Sequence, residues 1–231
     1  MTGIPGRSIG ERVQYLLRSV PADVVVLAAA KLRTPDEIRA ALDAGLGIIG
    51  ENYVQEALAM QTALGRGGAE WHLIGHLQRN KAKDAVHAFD LIQTLDSMRL
   101  GGAVDAAARA AGRIMPVLVE VNSGREPQKA GVLPENAADL VQALDRLDAL
   151  QVLGLMTMGP VVADPEALRT VFRDTRRLFE TFARENFARA RMSILSMGMS
   201  NSYRVAIEEG ATMVRIGSAL FGPRDEGPVG S

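Results

Sequence analysis

One lysine stands where a short apolar run ends, and its amine could hold a carbonyl compound covalently. Lys31 directly follows three alanines, residues 28–30, whose small side chains leave room for a planar ligand. A lysine amine that is partly shielded from water can attack a carbonyl and retain it as an imine. A solvated lysine introducing a helix is the more common role for a lone lysine at such a position. Lys31 alone is therefore weak support for imine chemistry.

Two segments near the C-terminus have the composition of a phosphate-binding site. Ser200 follows a glycine-containing turn, and Gly217 with Ser218 follows the last apolar run. Backbone N–H groups in such turns bind anions, and a glycine lets a ligand approach the backbone closely. Either segment alone is more simply a turn or a helix cap. The two segments together favour a bound phosphate.

Arg215 lies two residues before Gly217, so the alternation of a strand places both on one face. If Gly217 meets a ligand, the Arg215 side chain should point into the same space. A buried guanidinium requires a hydrogen-bond acceptor. That acceptor is either a heteroatom of the ligand or, in a purely structural role, the carboxylate of Glu120.

Other candidate residues are less specific. Asn52 ends the second apolar run and could either contact a ligand or cap the next helix. Met156 is a candidate for the floor of the site, although methionine at such a place is more often core filling. His72 and His76 are four residues apart but lack the glutamate of a zinc-protease helix, so we expect structural roles and no metal.

The elements that position these residues form a regular alternation. Short apolar runs are each followed by an amphipathic, capped helical stretch, which is typical of a parallel sheet with helical crossovers. An open doubly wound sheet uses the same alternation, but eight evenly spaced units favour a closed barrel. Barrel sites lie at the C-terminal ends of the strands, where the candidate residues stand. The predicted strands are 24–30, 47–50, 71–75, 90–95, 115–122, 152–158, 192–198 and 212–217.

We therefore expect one α/β domain over residues 1–231, a single (β/α)8 TIM-type barrel with an extra N-terminal helix. The region 1–22 contains that helix, around residues 8–19, and the polar residues 223–231 form a flexible tail. Thr34 and Glu37 predict a capping box at a helix start. Gly45, Gly112 and Gly210 each follow a helical run, where a left-handed residue is favoured.

Composition excludes several other classes of function. The formal net charge is -1 and no block of Lys or Arg stands out, which disfavours nucleic-acid and membrane-surface partners. The chain has no cysteine, which removes disulfides and cysteine metal sites and favours a cytoplasmic location. The apolar run 24–30 is too short to span a bilayer, and the first 20 residues lack a signal-peptide core. We expect a monomer that binds small molecules.

Seven motifs in order resemble one known family, the pyridoxal 5′-phosphate (PLP) homeostasis proteins, which are called the YggS type in bacteria and the PROSC type in animals. The resemblance covers residues 24–223. No single motif would suffice, but their combination is specific. The motifs are AAAK ending at Lys31, GENYVQE from Gly50, WHLIGHLQRNK from Trp71, VNSGREPQKAG from Val121, GLMTM from Gly154, SMGMSNS from Ser196 and ATMVRIGSALFG from Ala211.

The resemblance implies an alanine-racemase-like barrel that binds PLP as a Schiff base on Lys31. It places the phosphate on Ser200, Gly217 and Ser218, and Arg215 beside the pyridine nitrogen. A cation there disfavours ring protonation and weakens the cofactor as an electron sink. The implied role is non-catalytic, in intracellular PLP (vitamin B6) and amino-acid homeostasis, with PLP-dependent apoenzymes as candidate partners. With Asn52 and Met156 added, these residues are the candidate cofactor-binding set.

Two other functions remain open at this point. A PLP-dependent amino-acid racemase of low activity would need a second base, which has no obvious source, although Tyr53 or Tyr203 could serve. A Schiff-base aldolase would need an acid or base near the lysine. The chain also departs from the family pattern, because Ser202 and Arg204 stand where members often carry acidic residues, which removes negative charge from a helix start.

Overall fold

The computed structural model describes residues 8–66, 68–160 and 164–223. Its centre is a closed, all-parallel barrel in which eight strands follow one another in chain order. The predicted (β/α)8 barrel is therefore confirmed, and each predicted strand overlaps an observed one. The strands are β1 Val25–Ala29, β2 Ile48–Glu51, β3 Glu70–Leu73, β4 Leu91–Leu95, β5 Met115–Glu120, β6 Leu150–Met156, β7 Ile194–Met199 and β8 Met213–Ile216.

Helices cover the outside of the barrel, and one of them precedes the first strand as predicted. That extra helix packs against the second and the last helices of the described chain. The helices are α1 Ile9–Ser19, α2 Pro35–Asp43, α3 Val54–Leu64, α4 Ala82–Ala88, α5 Met98–Ala110, α6 Ala137–Leu144, α7 Pro165–Ala183, α8 Tyr203–Glu208 and α9 Ser218–Phe221, with 3-10 turns at Arg79–Lys81 and Pro134–Asn136.

Local sequence signals explain where these elements begin and end. Thr34 and Glu37 form the predicted capping box at the start of α2. Gly45, Gly112 and Gly210 adopt positive φ angles of 103°, 63° and 88°, as a residue after a helix often does. The predicted sixth strand started too late, because Leu150 and Gln151 already pair with β5.

Strand alternation divides the buried side chains into two layers. The larger layer lies between strands and helices and contains bulky side chains such as Trp71 and Phe172. The barrel interior holds two small apolar clusters, one built on Leu27, Ile74 and Met213 and the other on Leu91, Leu118 and Met156. The interior also contains polar side chains, which the site below uses.

Some sequence-based expectations lie outside the described residues. These include residues 1–7 of the N-terminal region and residues 224–231 of the expected tail. The assignment of the whole chain to one domain stays a prediction. Within the described ranges, no helix combines the length and the apolar character needed to cross a bilayer.

Candidate functional site

Lys31 lies at the C-terminal mouth of the barrel, two residues beyond the end of β1. Alternation along β1 puts Leu27, Ala29 and Lys31 on the interior side. The lysine is half-buried, and its Nζ lies 5.4 Å from the centroid of the Tyr53 ring, which follows β2. The amine is therefore placed at the rim of the interior, with an aromatic ring on one side.

The turn that carries Lys31 is fixed on both sides. Leu32 adopts a positive φ of 61°, which costs a non-glycine residue about 1 kcal/mol, and the Arg33 amide donates to the Ala30 carbonyl at 2.9 Å. The Arg33 guanidinium donates to the Gly222 carbonyl at 2.8 Å and lies over the Phe221 ring. The position of Lys31 is thus tied to the end of the last helix.

The two predicted phosphate segments meet beside β1. The Ser200 hydroxyl accepts hydrogen bonds from the backbone N–H groups of Gly217 and Ala219, each at 3.2 Å. A Cβ on Gly217 would lie 3.3 Å from the Ala29 carbonyl oxygen, so this loop packs closely on the strand that leads to Lys31. Ser218 follows directly as the first residue of α9. The structure therefore brings Ser200, Gly217 and Ser218 together.

The turn before Ser200 contains a structural role for Ser202, one of the two residues at which acidic side chains were expected from the resemblance. Gly198 has a φ of 93°, and a Cβ there would lie 2.5 Å from the Ala206 side chain. Ser202 is buried, and its hydroxyl accepts a hydrogen bond from the Met199 amide at 3.0 Å. Serine at this position thus closes the turn. Arg204, the other departure, is exposed.

Arg215 is buried inside the barrel and bonded to two oxygen atoms. Its Nη1 donates to the Ser196 hydroxyl at 2.7 Å and its Nη2 to the Thr157 carbonyl at 2.9 Å. Burial lowers the pKa of Arg215 to about 10, although the Glu120 carboxylate opposes this shift. Of the residues described, Ser196 and Thr157 hold the guanidinium, and Glu120 acts on it through space. These bonds use two of the five N–H donors of an arginine.

Glu120 is also buried in the interior, and its charge is suppressed. Burial and the nearby Asp96 raise the pKa of Glu120 to about 7, against the effect of Arg215. The interior around Arg215 therefore contains a carboxyl group that changes charge near neutral pH.

The remaining two candidates lie in different environments. Met156 is fully buried and packs with Leu91 and Leu118 inside the barrel. Asn52 is half-buried and, together with Tyr53 and other residues, lines a cavity of about 270 Å³ beside the mouth. The alternative role of Asn52 as a helix cap is wrong, because Tyr53 precedes α3 and no described side chain caps that helix.

Sequence reasoning missed a group of polar side chains behind Arg215. The Ser196 hydroxyl donates to the Gln93 carbonyl oxygen at 2.7 Å, and the Gln93 amide nitrogen lies 3.0 Å from Nδ1 of His72. His72 was expected to be structural, and it is buried as that role requires. A glutamine within a short, fully buried strand was the available signal. No group of three potential metal ligands occurs in the part of the chain described.

Comparison with known proteins places the chain in a family. The profile of the alanine racemase N-terminal domain family matches residues 12–225. A pyridoxal phosphate homeostasis protein from Aquifex aeolicus is 44% identical over 200 residues, which are 86% of each chain. The chain belongs to the pyridoxal phosphate homeostasis protein family.

Solved structures agree with this assignment. PipY of Synechococcus elongatus, determined with PLP bound, has 35% identity and a TM-score of 0.87 over 93% of this chain and 100% of its own. An alanine racemase of Clostridium difficile has 13% identity and a TM-score of 0.74, over 94% of this chain and 57% of that enzyme. At that identity the likeness to the racemase concerns the fold alone.

Glu51, at the end of β2, provides a test of the electrostatics near the mouth. It is buried, one of its carboxylate oxygens has no hydrogen-bond partner in the described structure, and burial together with Glu56 raises its pKa to about 7. Between pH 4.5 and about 7 the folded chain holds a proton that the unfolded chain has lost. The contribution of protonated Glu51 to the free energy of unfolding is therefore complete below pH 4.5 and is lost as the pH rises to about 7.

We expect Glu51→Gln to reduce the fall in unfolding free energy between pH 5 and pH 8 by about 1–3 kcal/mol, measured by urea denaturation. Glu120 contributes in the same direction, so part of the fall should remain. Glu185→Gln, at an exposed position, is the control and should leave the pH dependence unchanged. An identical profile for Glu51→Gln and the wild type would contradict this assignment.

Proposed function

We propose that the chain binds PLP as a Schiff base on Lys31 and holds it without catalysing a reaction of its own. The observation that carries the proposal is the convergence of the Gly217 and Ala219 N–H groups on the Ser200 hydroxyl, beside the strand that leads to Lys31. The loop after β1 thus supplies an amine, and the neighbouring loop after β8 supplies groups that can bind an anion. PipY, the relative solved with PLP bound, supports the same cofactor here.

The residues present fit a phosphorylated ligand. Ser200, Gly217 and Ser218 would hold the phosphate through hydroxyl and backbone N–H groups. A Cβ at Gly217 would press on the Ala29 carbonyl oxygen, so glycine lets this loop pack closely against β1. Lys31 would supply the amine, and Asn52 and Met156 would contact the ligand from the mouth and from the interior.

Arg215 would set the character of the site. Bound PLP would supply an aldehyde for the lysine and a pyridine ring that can withdraw electrons. Arg215 stays protonated at neutral pH, since its pKa of about 10 is well above 7. It can donate to the ring nitrogen but offers no carboxylate to keep that nitrogen protonated, which weakens electron withdrawal. A site of this kind favours storage over carbanion chemistry.

The proposed role is PLP and amino-acid homeostasis in the cytoplasm. The chain would act as a monomeric carrier, and PLP-dependent apoenzymes would receive the cofactor. The names of the relatives support this, because they are described as homeostasis proteins rather than as enzymes. The packing of the Ser200 and Gly217 loops within one chain also supports a monomeric site.

Removal of the Lys31 amine tests the covalent link. Purified protein loaded with PLP should be yellow, and Lys31→Ala should lose the imine absorbance because the variant lacks the amine that would form the imine. Lys83→Ala, an exposed lysine on α4, is the matched control and should keep the colour. Borohydride reduction followed by peptide mapping should place the label on Lys31, and a label mainly on another lysine would overturn the assignment.

Removal of the Ser200 hydroxyl tests the phosphate site separately. Ser200→Ala should weaken PLP binding about 10- to 100-fold, as expected for a lost hydrogen bond to a charged group. Binding of pyridoxal, which has the aldehyde but no phosphate, should change little. Equilibrium titrations followed by absorbance measure both ligands. Equal losses for PLP and pyridoxal would argue against a phosphate at Ser200.

One observation favours the alternative of a weak racemase, namely the phenol of Tyr53 beside Lys31. We expect loaded protein incubated with L-alanine to form D-alanine no faster than free PLP does, as measured by chiral chromatography. Tyr53→Phe should not alter that background rate. Turnover well above free PLP, lost in Tyr53→Phe, would replace the carrier by an enzyme.

A further inference from the structure

A continuous chain of hydrogen bonds runs through the barrel interior from Arg215 to the opposite mouth. Arg215 contacts the Ser196 hydroxyl at 2.7 Å, and that hydroxyl contacts the Gln93 carbonyl oxygen at 2.7 Å. The Gln93 amide nitrogen lies 3.0 Å from Nδ1 of His72, and Nε2 of His72 lies 3.3 Å from a carboxylate oxygen of Glu70. These five residues, Arg215, Ser196, Gln93, His72 and Glu70, are called the relay below.

The direction of each bond in the relay follows from Arg215, which can only donate, and from the orientation of the Gln93 amide. Arginine only donates, so the Ser196 oxygen accepts from Arg215 and the Ser196 proton goes to the Gln93 carbonyl oxygen. This leaves the Gln93 N–H group to face Nδ1 of His72, which must then be unprotonated. The His72 proton therefore sits on Nε2 and is donated to Glu70.

The environment of His72 agrees with this neutral tautomer. His72 is 2% exposed, and burial lowers its pKa, while Glu70 and Asp90 act in the opposite direction. The charged groups that face it are Glu70 on its own strand, Asp90 before β4 and Asp23 before β1. Together with apolar side chains they line a cavity of about 610 Å³ at the N-terminal mouth.

We propose that Gln93 and His72 are positioning residues that act through Ser196 to hold the Arg215 guanidinium toward the cofactor. The proposal rests on the function proposed above, since it takes Arg215 to face the ring nitrogen. Ser196 can accept from Arg215 with no unpaired hydroxyl proton only while the Gln93 carbonyl oxygen accepts the Ser196 proton. Gln93 can do so only while its amide is oriented by an unprotonated Nδ1 on His72.

The relay also explains why polar residues occupy the interior at all. An unpaired polar group in an apolar interior costs about 1–3 kcal/mol, so a partly satisfied network would be a liability. Gln93 and Ser196 are both fully buried, and each is satisfied by a relay neighbour. The Gln93 amide nitrogen also donates a hydrogen bond to the Met213 sulfur at 3.2 Å.

Gln93→Met tests the relay, because it keeps a long side chain but removes both the acceptor for Ser196 and the donor to His72. In the unliganded protein, hydrogen exchange of the Arg215 guanidinium N–H groups, followed by NMR, should become about three- to tenfold faster. In the loaded protein the absorbance maximum of the imine should shift. Ile92→Met is the control, since it introduces the same residue on the same strand but in the layer between strands and helices, and it should change neither readout.

A measurement on the wild type does not depend on any variant folding. Nitrogen NMR of the unliganded protein should show His72 as the Nε2–H tautomer, with Nδ1 unprotonated, at pH 7. The Nδ1–H tautomer, or Gln93→Met with exchange and absorbance like the wild type, would overturn the proposal. A wild type without imine absorbance would instead refute the proposed function, and the exchange and tautomer data on unliganded protein would still decide the relay.

Discussion

A charged guanidinium buried inside the barrel is the constraint on which the interior depends. Arg215 is 3% exposed, and a buried charge is tolerated only when oxygen acceptors surround it. Ser196 and Thr157 supply those acceptors from β7 and from the end of β6. Ser196 in turn needs a polar neighbour, and that requirement extends across the barrel to Gln93 and His72. Two small apolar clusters occupy the interior beside these polar groups.

Much of the fold could be predicted because parallel strands repeat a simple pattern. Apolar runs and helix caps fixed the number and order of the units, and closure followed from their even spacing. Strand alternation placed Arg215 and Gly217 on one face without any knowledge of neighbours. The grouping of Lys31 with Ser200 and Gly217 followed from the general position of barrel sites. Their individual contacts with PLP remain predictions.

The interior hydrogen bonds and the ends of the strands could not be predicted, because they depend on how neighbouring strands align with one another. Gln93 and Ser196 are 103 residues apart in the chain, and only the closed barrel makes them neighbours. The ends of β6 were misplaced for the same reason, since pairing with β5 decides where that strand starts. Asn52 was considered as a helix cap because its residue type suits that role. The observed helix begins one residue too late for it.

The oxygen of the Ser200 hydroxyl accepts hydrogen bonds from two backbone N–H groups of the loop after β8. These contacts within the chain keep the loop after β8 ordered. Both contacts use lone pairs of the oxygen, so the hydroxyl proton can still be donated to another acceptor. A loop ordered in this way can receive a ligand without rearranging its backbone, which would suit the carrier role proposed above.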